Sequence, residues 1–140
     1  MSRPTSFRLE EELLERLDAE SRAASMSTTS LVSSLLDEGL KTREFPGVVY
    51  RPGPTGRRAG LVGGPDVWEV IRDLRHWPGR GMERVERLAE DLDLSVSMVS
   101  LAADFYSAFP VEIDARIEAD EQAAEQIRRR VEERENLLSS

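Results

Sequence analysis

Apolar and polar positions alternate at the start of the chain. Thr5, Phe7 and Leu9 interleave with Pro4, Ser6 and Arg8, the period of a short β-strand. The period then changes. Leu13, Leu14 and Leu17 fall one helical turn apart and Ala24 extends the stripe, while Glu10, Glu11 and Glu12 fill a first turn where the helix dipole favours acids. This predicts a helix ending near Ser25. Ser27 reads as the N-cap of a second helix whose apolar face is Leu31, Val32, Leu35, Leu36 and Leu40, with Gly39 as a stop signal.

A lone strand leaves half its backbone groups without partners, and about 40 residues with two short helices rarely bury enough surface to fold alone. Both deficits disappear if two copies pair their strands antiparallel and interlock their helices. The segment therefore predicts an obligate homodimer.

From Phe45 the character changes. Pro46, Pro52, Pro54, Pro65 and Pro78 lie in this stretch, with most of the glycines. Val48 to Tyr50, the turn PGPTG, and Arg57 to Val62 predict a β-hairpin. Asp66 is placed to cap a helix over 67–75 with Trp68 and Ile71 inward, broken by Pro78, Gly79 and Gly81. A helix over 82–92 would bury Val85, Leu88, Ala89 and Leu92. Ser95 would cap another bearing Val99, Ala102, Ala103 and Tyr106, which must stop before Pro110. The last helix is expected over 111–137. Ile117, Ala124, Val131 and Leu138 recur every seven residues, while Asp120 and Arg134 interrupt the companion positions of Ile113 and Ile127. The predicted fold is mostly α, with units at 1–43, 44–110 and 111–140.

Composition narrows the chemistry. The absence of Cys removes disulfides, thiolate metal sites and Cys nucleophiles, and the single His76 cannot build a nitrogen-ligated metal centre. No metal, cofactor or enzymatic activity is expected, and no apolar run reaches membrane-spanning length, which places the protein in the cytoplasm as an expectation. The net charge of −8 argues against nucleic acid until it is divided. Residues 1–66 carry 9 basic and 10 acidic side chains, and residues 67–140 carry 10 and 17. A phosphate-binding surface therefore belongs to the first half.

The order TSFRL, EEELLERLDAESRAA, SMSTTSLVSSLLDEGL resembles the ribbon-helix-helix repressors of the Arc, MetJ and CopG kind, over nearly a third of the chain. One departure is Ser25, which stands where those proteins commonly have glycine. The resemblance implies a two-stranded intermolecular ribbon in the DNA major groove, with Ser6 and Arg8 outward and Pro4 or Arg3 at the edge. Arginine can hold guanine O6 and N7 in bidentate fashion, and serine can donate or accept at several bases. It also implies phosphate contacts from Ser27, Thr28 and Thr29 at the start of the second helix.

The pieces RRAGLVGGPDVWEVI and LDLSVSMVSLAADFYSAFPVEID resemble a small helical domain of toxin–antitoxin antitoxins that accompanies PIN-like ribonuclease toxins. The usual Gly-Thr-Arg before the proline is replaced here by Val62-Gly63-Gly64. That resemblance implies a cognate toxin as partner. Arg57 and Arg58 of the hairpin suit its carboxylates, or phosphate, or a solvated turn, and the stripe Ile113, Ile117, Ala124, Ile127 and Val131 of the last helix suits binding in a toxin groove, packing on its own domain or a second dimer contact. RLAEDLDLSVSMVSLAADFY also fits helix-turn-helix spacing, but no Lys or Arg occurs between Leu88 and Ala115, and acids beside phosphate oppose binding. The function expected is that of a dimeric antitoxin that represses its own operon through operator DNA. The alternative is a ribbon-helix-helix regulator without a toxin, whose second half binds another protein or ligand.

Overall fold

A computed structural model describes residues 1–140. It is mostly helical with one small antiparallel hairpin. The order is α1 (Glu11–Ala23), α2 (Thr28–Glu44), β1 (Val48–Arg51), β2 (Arg58–Leu61), α3 (Val67–His76), α4 (Gly81–Leu92), α5 (Val96–Ala108) and α6 (Pro110–Ser139). The chain divides into two compact units, Met1–Arg43 and Glu44–Ser140.

In the first unit, residues 1–10 carry no regular structure, and Glu10 is extended at φ −62° and ψ 147°. The strand expected over residues 4–9 is thus not a strand in the single chain, because nothing in that chain offers it a ladder partner. The helices follow the expectation more closely. α1 ends in a Schellman motif: Met26 N–H donates to Ser21 O at 3.0 Å and Ser25 N–H to Arg22 O at 3.2 Å. The motif needs a left-handed residue, and Ser25 supplies it at φ 53°. α2 starts where Ser27 Oγ accepts from Ser30 N–H at 3.1 Å. It runs through Gly39 without stopping, since a single glycine weakens a helix by only about 1 kcal/mol.

The second unit has a core. α3 is its hub, meeting β2, α4, α5 and α6. Val67, Val70, Ile71 and Leu74 recur at helical spacing, and the first three are buried with Leu61, Leu88 and Val99. Phe45, Phe105 and Phe109 pack as an aromatic trio with centroids 5.1–5.9 Å apart. The α5 face is rotated from the expected one. Phe105 is fully buried, and Tyr106 stands at the rim where its hydroxyl finds polar partners.

The hairpin pairs Val48 with Leu61 and Arg51 with Arg58. Two arginines directly opposite repel. The buried Asp66 carboxylate lies between them, 2.5 Å from Arg58 Nε and 3.3 Å from Arg51 Nη2. Arg51 also donates to the carbonyls of Gly64 and Pro65, which closes the loop before α3. Its guanidinium lies across Gly60, where any Cβ would collide with it.

Candidate functional site

The first unit places the expected nucleic-acid residues on its surface. Arg3, Pro4, Ser6 and Arg8 are all exposed on the N-terminal segment. Ser27, Thr28 and Thr29 are exposed at the start of α2. The Ser27 hydroxyl is committed to the cap, accepting from Ser30 N–H and donating to Ser30 Oγ at 2.9 Å. The Thr28 and Thr29 amides precede the first helical hydrogen bond and have no backbone acceptor. No acid occupies the first turn of α2, so nothing there repels an anion.

Beside these groups lies an open apolar groove of about 460 Å³, lined by Phe7, Leu9, Leu13, Leu17, Val32 and Leu36, with Leu35 and Arg8 at its edge. Phe7 is 77% exposed and Leu36 55%. Leu31 and Ser21 are the buried residues of this unit, and α1 and α2 have little contact with each other. The unit therefore combines an uncovered apolar face, an N-terminal segment with unpaired backbone, and the exposed Arg3 and Arg8 on that segment.

In the second unit the structure redistributes the expected partner residues. Arg57 stays exposed, with one guanidinium N–H on Tyr50 O at 3.2 Å. Arg58 does not face outward as a free cation. It is held by Asp66, whose Oδ2 also accepts from Trp68 Nε1 at 3.2 Å. Ile113 and Ile117 are likewise withdrawn from the expected partner stripe. The first turns of α6 pack on α3 and α5 and bury both side chains in the core. Ala124, Ile127 and Val131 remain exposed, as does every residue from 121 onward.

Three polar clusters escape a reading of the linear pattern. Tyr50 hydroxyl donates to Glu112 at 2.7 Å. Arg75 bridges the Tyr106 hydroxyl and Asp114, whose carboxyl is held below its ordinary range, first by the Arg75 hydrogen bond and then by Tyr106. Arg116 donates to Thr55 at the hairpin turn. An open cleft of about 350 Å³ next to these clusters is lined by Arg58, Asp66, Trp68, Glu69, Arg116 and Asp120. The Glu69 carboxyl is raised from its usual value, mainly by partial burial and next by the Asp66 charge. Arg72 lies over the Trp68 ring at 5.1 Å.

The clusters tie elements together and leave no group of three His, Asp or Glu side chains placed to hold a metal ion. The α4–α5 turn has helix-turn-helix form, with Asp93 left-handed at φ 54°, but from Leu88 through the end of α5 the exposed residues include acids and no cation. No helix is long and apolar enough to cross a membrane. No family model matches the chain, and neither a curated protein nor a solved structure matches it.

Proposed function

We propose that the protein is a dimeric DNA-binding antitoxin. Its N-terminal segments pair between two copies as an antiparallel ribbon that reads operator DNA, and its second unit binds and neutralises a cognate toxin of the PIN-like ribonuclease kind. The observation that carries this reading is the uncovered face of the first unit. Phe7, Leu9, Leu13, Leu35 and Leu36 lie exposed beside a segment whose backbone has no partner. A second copy covers the apolar groove and completes the ladder at once. Pairing also doubles the cationic edge, bringing two copies of Arg8, Ser6 and Arg3 to one major groove. Phosphates on either side meet the Thr28 and Thr29 amides at the α2 dipole.

The toxin half rests on the exposed side chains Arg57, Ala124, Ile127 and Val131 and on the acidic balance of residues 67–140, which suits protein better than nucleic acid. A PIN-like nuclease gathers carboxylates around a metal ion, and a partner silences it by filling the groove or by setting an arginine among those carboxylates.

Sedimentation equilibrium of the full chain, with fluorescence anisotropy on duplex DNA from upstream of its own gene, tests the DNA half. The expected result is a dimer whose affinity falls steeply with salt. Arg8→Ala weakens binding by about 1–3 kcal/mol and leaves the dimer mass unchanged. A monomer, or Arg8→Ala binding as tightly as the parent at fixed salt, overturns it. A growth assay with the neighbouring reading frame tests the toxin half. Truncation should follow Asp120 and not Pro110, since a cut after Pro110 removes Ile113 and Ile117 from the core. Loss of neutralisation with DNA binding kept is the expected outcome, and full neutralisation by the truncated chain removes the distal helix from the toxin contact.

A further inference from the structure

α6 is 30 residues long, about 45 Å, but only its first turns have tertiary contacts. From Glu121 to Ser140 every residue is exposed, with Ile127 61%, Val131 49% and Leu138 69% open to water. Most helical stability in proteins comes from a packed face, and this stretch has none in its own chain.

We infer that the distal half of α6 pairs in parallel, in register, with the same segment of a second copy. Placing Ala124, Val131 and Leu138 at heptad position a puts Ile127 and Arg134 at d, Arg130 at g and Glu135 at e. In a parallel pair the g residue of one helix faces the next e residue of its neighbour, so Arg130 meets the second copy's Glu135, twice per dimer. Neither side chain has an ion-pair partner in its own chain, whereas Arg128 and Arg129 are already held by Glu125. An antiparallel pair centred on the Ile127 and Val131 layers sets Arg128 and Arg130 against their own copies near the axis, which is repulsive. Shifting that pair by a heptad toward the C-terminus drops Ala124 from the seam, and shifting it the other way sets Asp120 against Val131 and Leu138 against Ile113, which is buried in its own core.

Arg134 is the weak layer of the parallel arrangement, and its stem must swing the guanidinium outward toward Glu133 and Glu135. Two heptads with one polar layer fall short of a self-sufficient coiled coil. They suffice for a pair already joined elsewhere, because tethering raises the effective concentration to roughly the millimolar range. The inference rests on the dimeric half of the proposed function. It gives the toxin a competitor, since Ala124, Ile127 and Val131 cannot face a toxin and a second copy together.

The absence of Cys makes the test direct. Ala124→Cys, Leu138→Cys and the outward-facing control Asn136→Cys are made singly in the full chain. Each is oxidised under identical conditions and examined by non-reducing electrophoresis, with sedimentation of the reduced proteins alongside. The expected result is disulfide dimer formation at both seam positions at least tenfold faster than at Asn136→Cys. Seam rates no faster than the control, with a dimeric mass, overturn the helix pairing and leave the N-terminal dimer standing. A monomeric mass overturns both. Cross-linking only when Ala124→Cys and Leu138→Cys chains are mixed overturns the parallel arrangement.

Discussion

Two helix–turn–helix segments in this chain use the same turn. α1 and α2 are joined through Ser25, and α4 and α5 through Asp93, each left-handed and each followed by the 6→1 hydrogen bond of a Schellman motif. Their surroundings differ. Around Asp93, Leu88, Ala89 and Val99 pack into a core completed by α3, α6 and the hairpin. Around Ser25 only Leu31 and Ser21 are buried, and Leu13, Leu14, Leu35, Leu36 and Leu40 face solvent. Equivalent local geometry thus gives one unit whose apolar side chains pack within its own chain and one whose apolar face stays uncovered, which the proposed dimer would cover. On that proposal Met1–Arg43 should melt at a temperature that depends on protein concentration, and Glu44–Ser140 should not.

The largest expected effect breaks this contrast from the side of the first unit. Leu36→Asp places a charge in the groove that the dimer must cover. Losing two buried leucines and burying two carboxylates weakens the dimer by at least about 3–6 kcal/mol, a hundredfold or more in dissociation constant. Sedimentation should show a monomer and anisotropy no DNA binding, while the main thermal transition of the second unit stays in place. A retained dimer refutes the intermolecular core.

The next effect acts on the second unit alone. Asp66→Ala removes the acceptor shared by Arg58 Nε, Arg51 Nη2 and Trp68 Nε1 and leaves Arg51 and Arg58 opposed across the hairpin. Both guanidiniums retain some solvent, which tempers the loss to about 2 kcal/mol, or roughly 10 °C in the melting temperature of this unit. Dimer mass and DNA affinity should not move. A shift in either means that the units are coupled.

These two sites also mark what a linear pattern can and cannot disclose. Periodicity found all six helices and the hairpin, and cap residues located Ser27 and Ser95 correctly, because these signals act within one or two turns of chain. Periodicity names the positions that share a face but not what covers them. Leu35 and Ile113 have the same local signature; one is half exposed and the other sits in the core. The heptad of α6 gave no sign that its first turns pack on α3 and α5 while the rest runs free. The rotation of α5 by one residue follows from competition between Phe105 and Tyr106. The side chain without a hydroxyl takes the dry position. The fate of Arg58 was not readable, since a hairpin closed by the five-residue turn PGPTG sets Arg51 opposite Arg57, whereas the strands pair Arg51 with Arg58 across six intervening residues. The Asp66 carboxylate that lies between them comes from the helix start beyond the hairpin, which spacing along the chain does not disclose.

A smaller effect compares the two turns directly. Ser25→Gly and Asp93→Gly each relieve a left-handed residue, which costs about 1–2 kcal/mol in a non-glycine, less the greater freedom glycine has when unfolded. The net gain expected is about 0.5–1 kcal/mol for Ser25→Gly and less for Asp93→Gly, since aspartate tolerates this conformation better. The gains should appear in different observables. Ser25→Gly should tighten the dimer in a dilution series, whereas Asp93→Gly should raise a concentration-independent melting temperature. The same observable for both would erase the distinction between the units.

The smallest effect concerns Glu69, on the cleft side of α3. Burial raises its carboxyl above the ordinary range, and the neighbouring Asp66 charge adds to this, against the opposing pull of Arg72 and Arg58. For an acid, a folded-state value above the unfolded one means that the folded chain binds the extra proton more readily. The favourable contribution is complete below the unfolded value and is lost as pH rises through the raised one. Ionised Glu69 is therefore a mild burden at neutral pH. Glu69→Gln keeps the shape and removes the charge, and because solvent screens this partly exposed carboxylate the gain in stability of the second unit at pH 7 should be no more than about 0.5 kcal/mol. The advantage should vanish in acid below the ordinary glutamate range, where the parent side chain is itself neutral. The measurement is a pair of melting curves at each pH. An advantage that persists undiminished in acid would assign the effect to hydrogen bonding by the amide instead of to the desolvated charge.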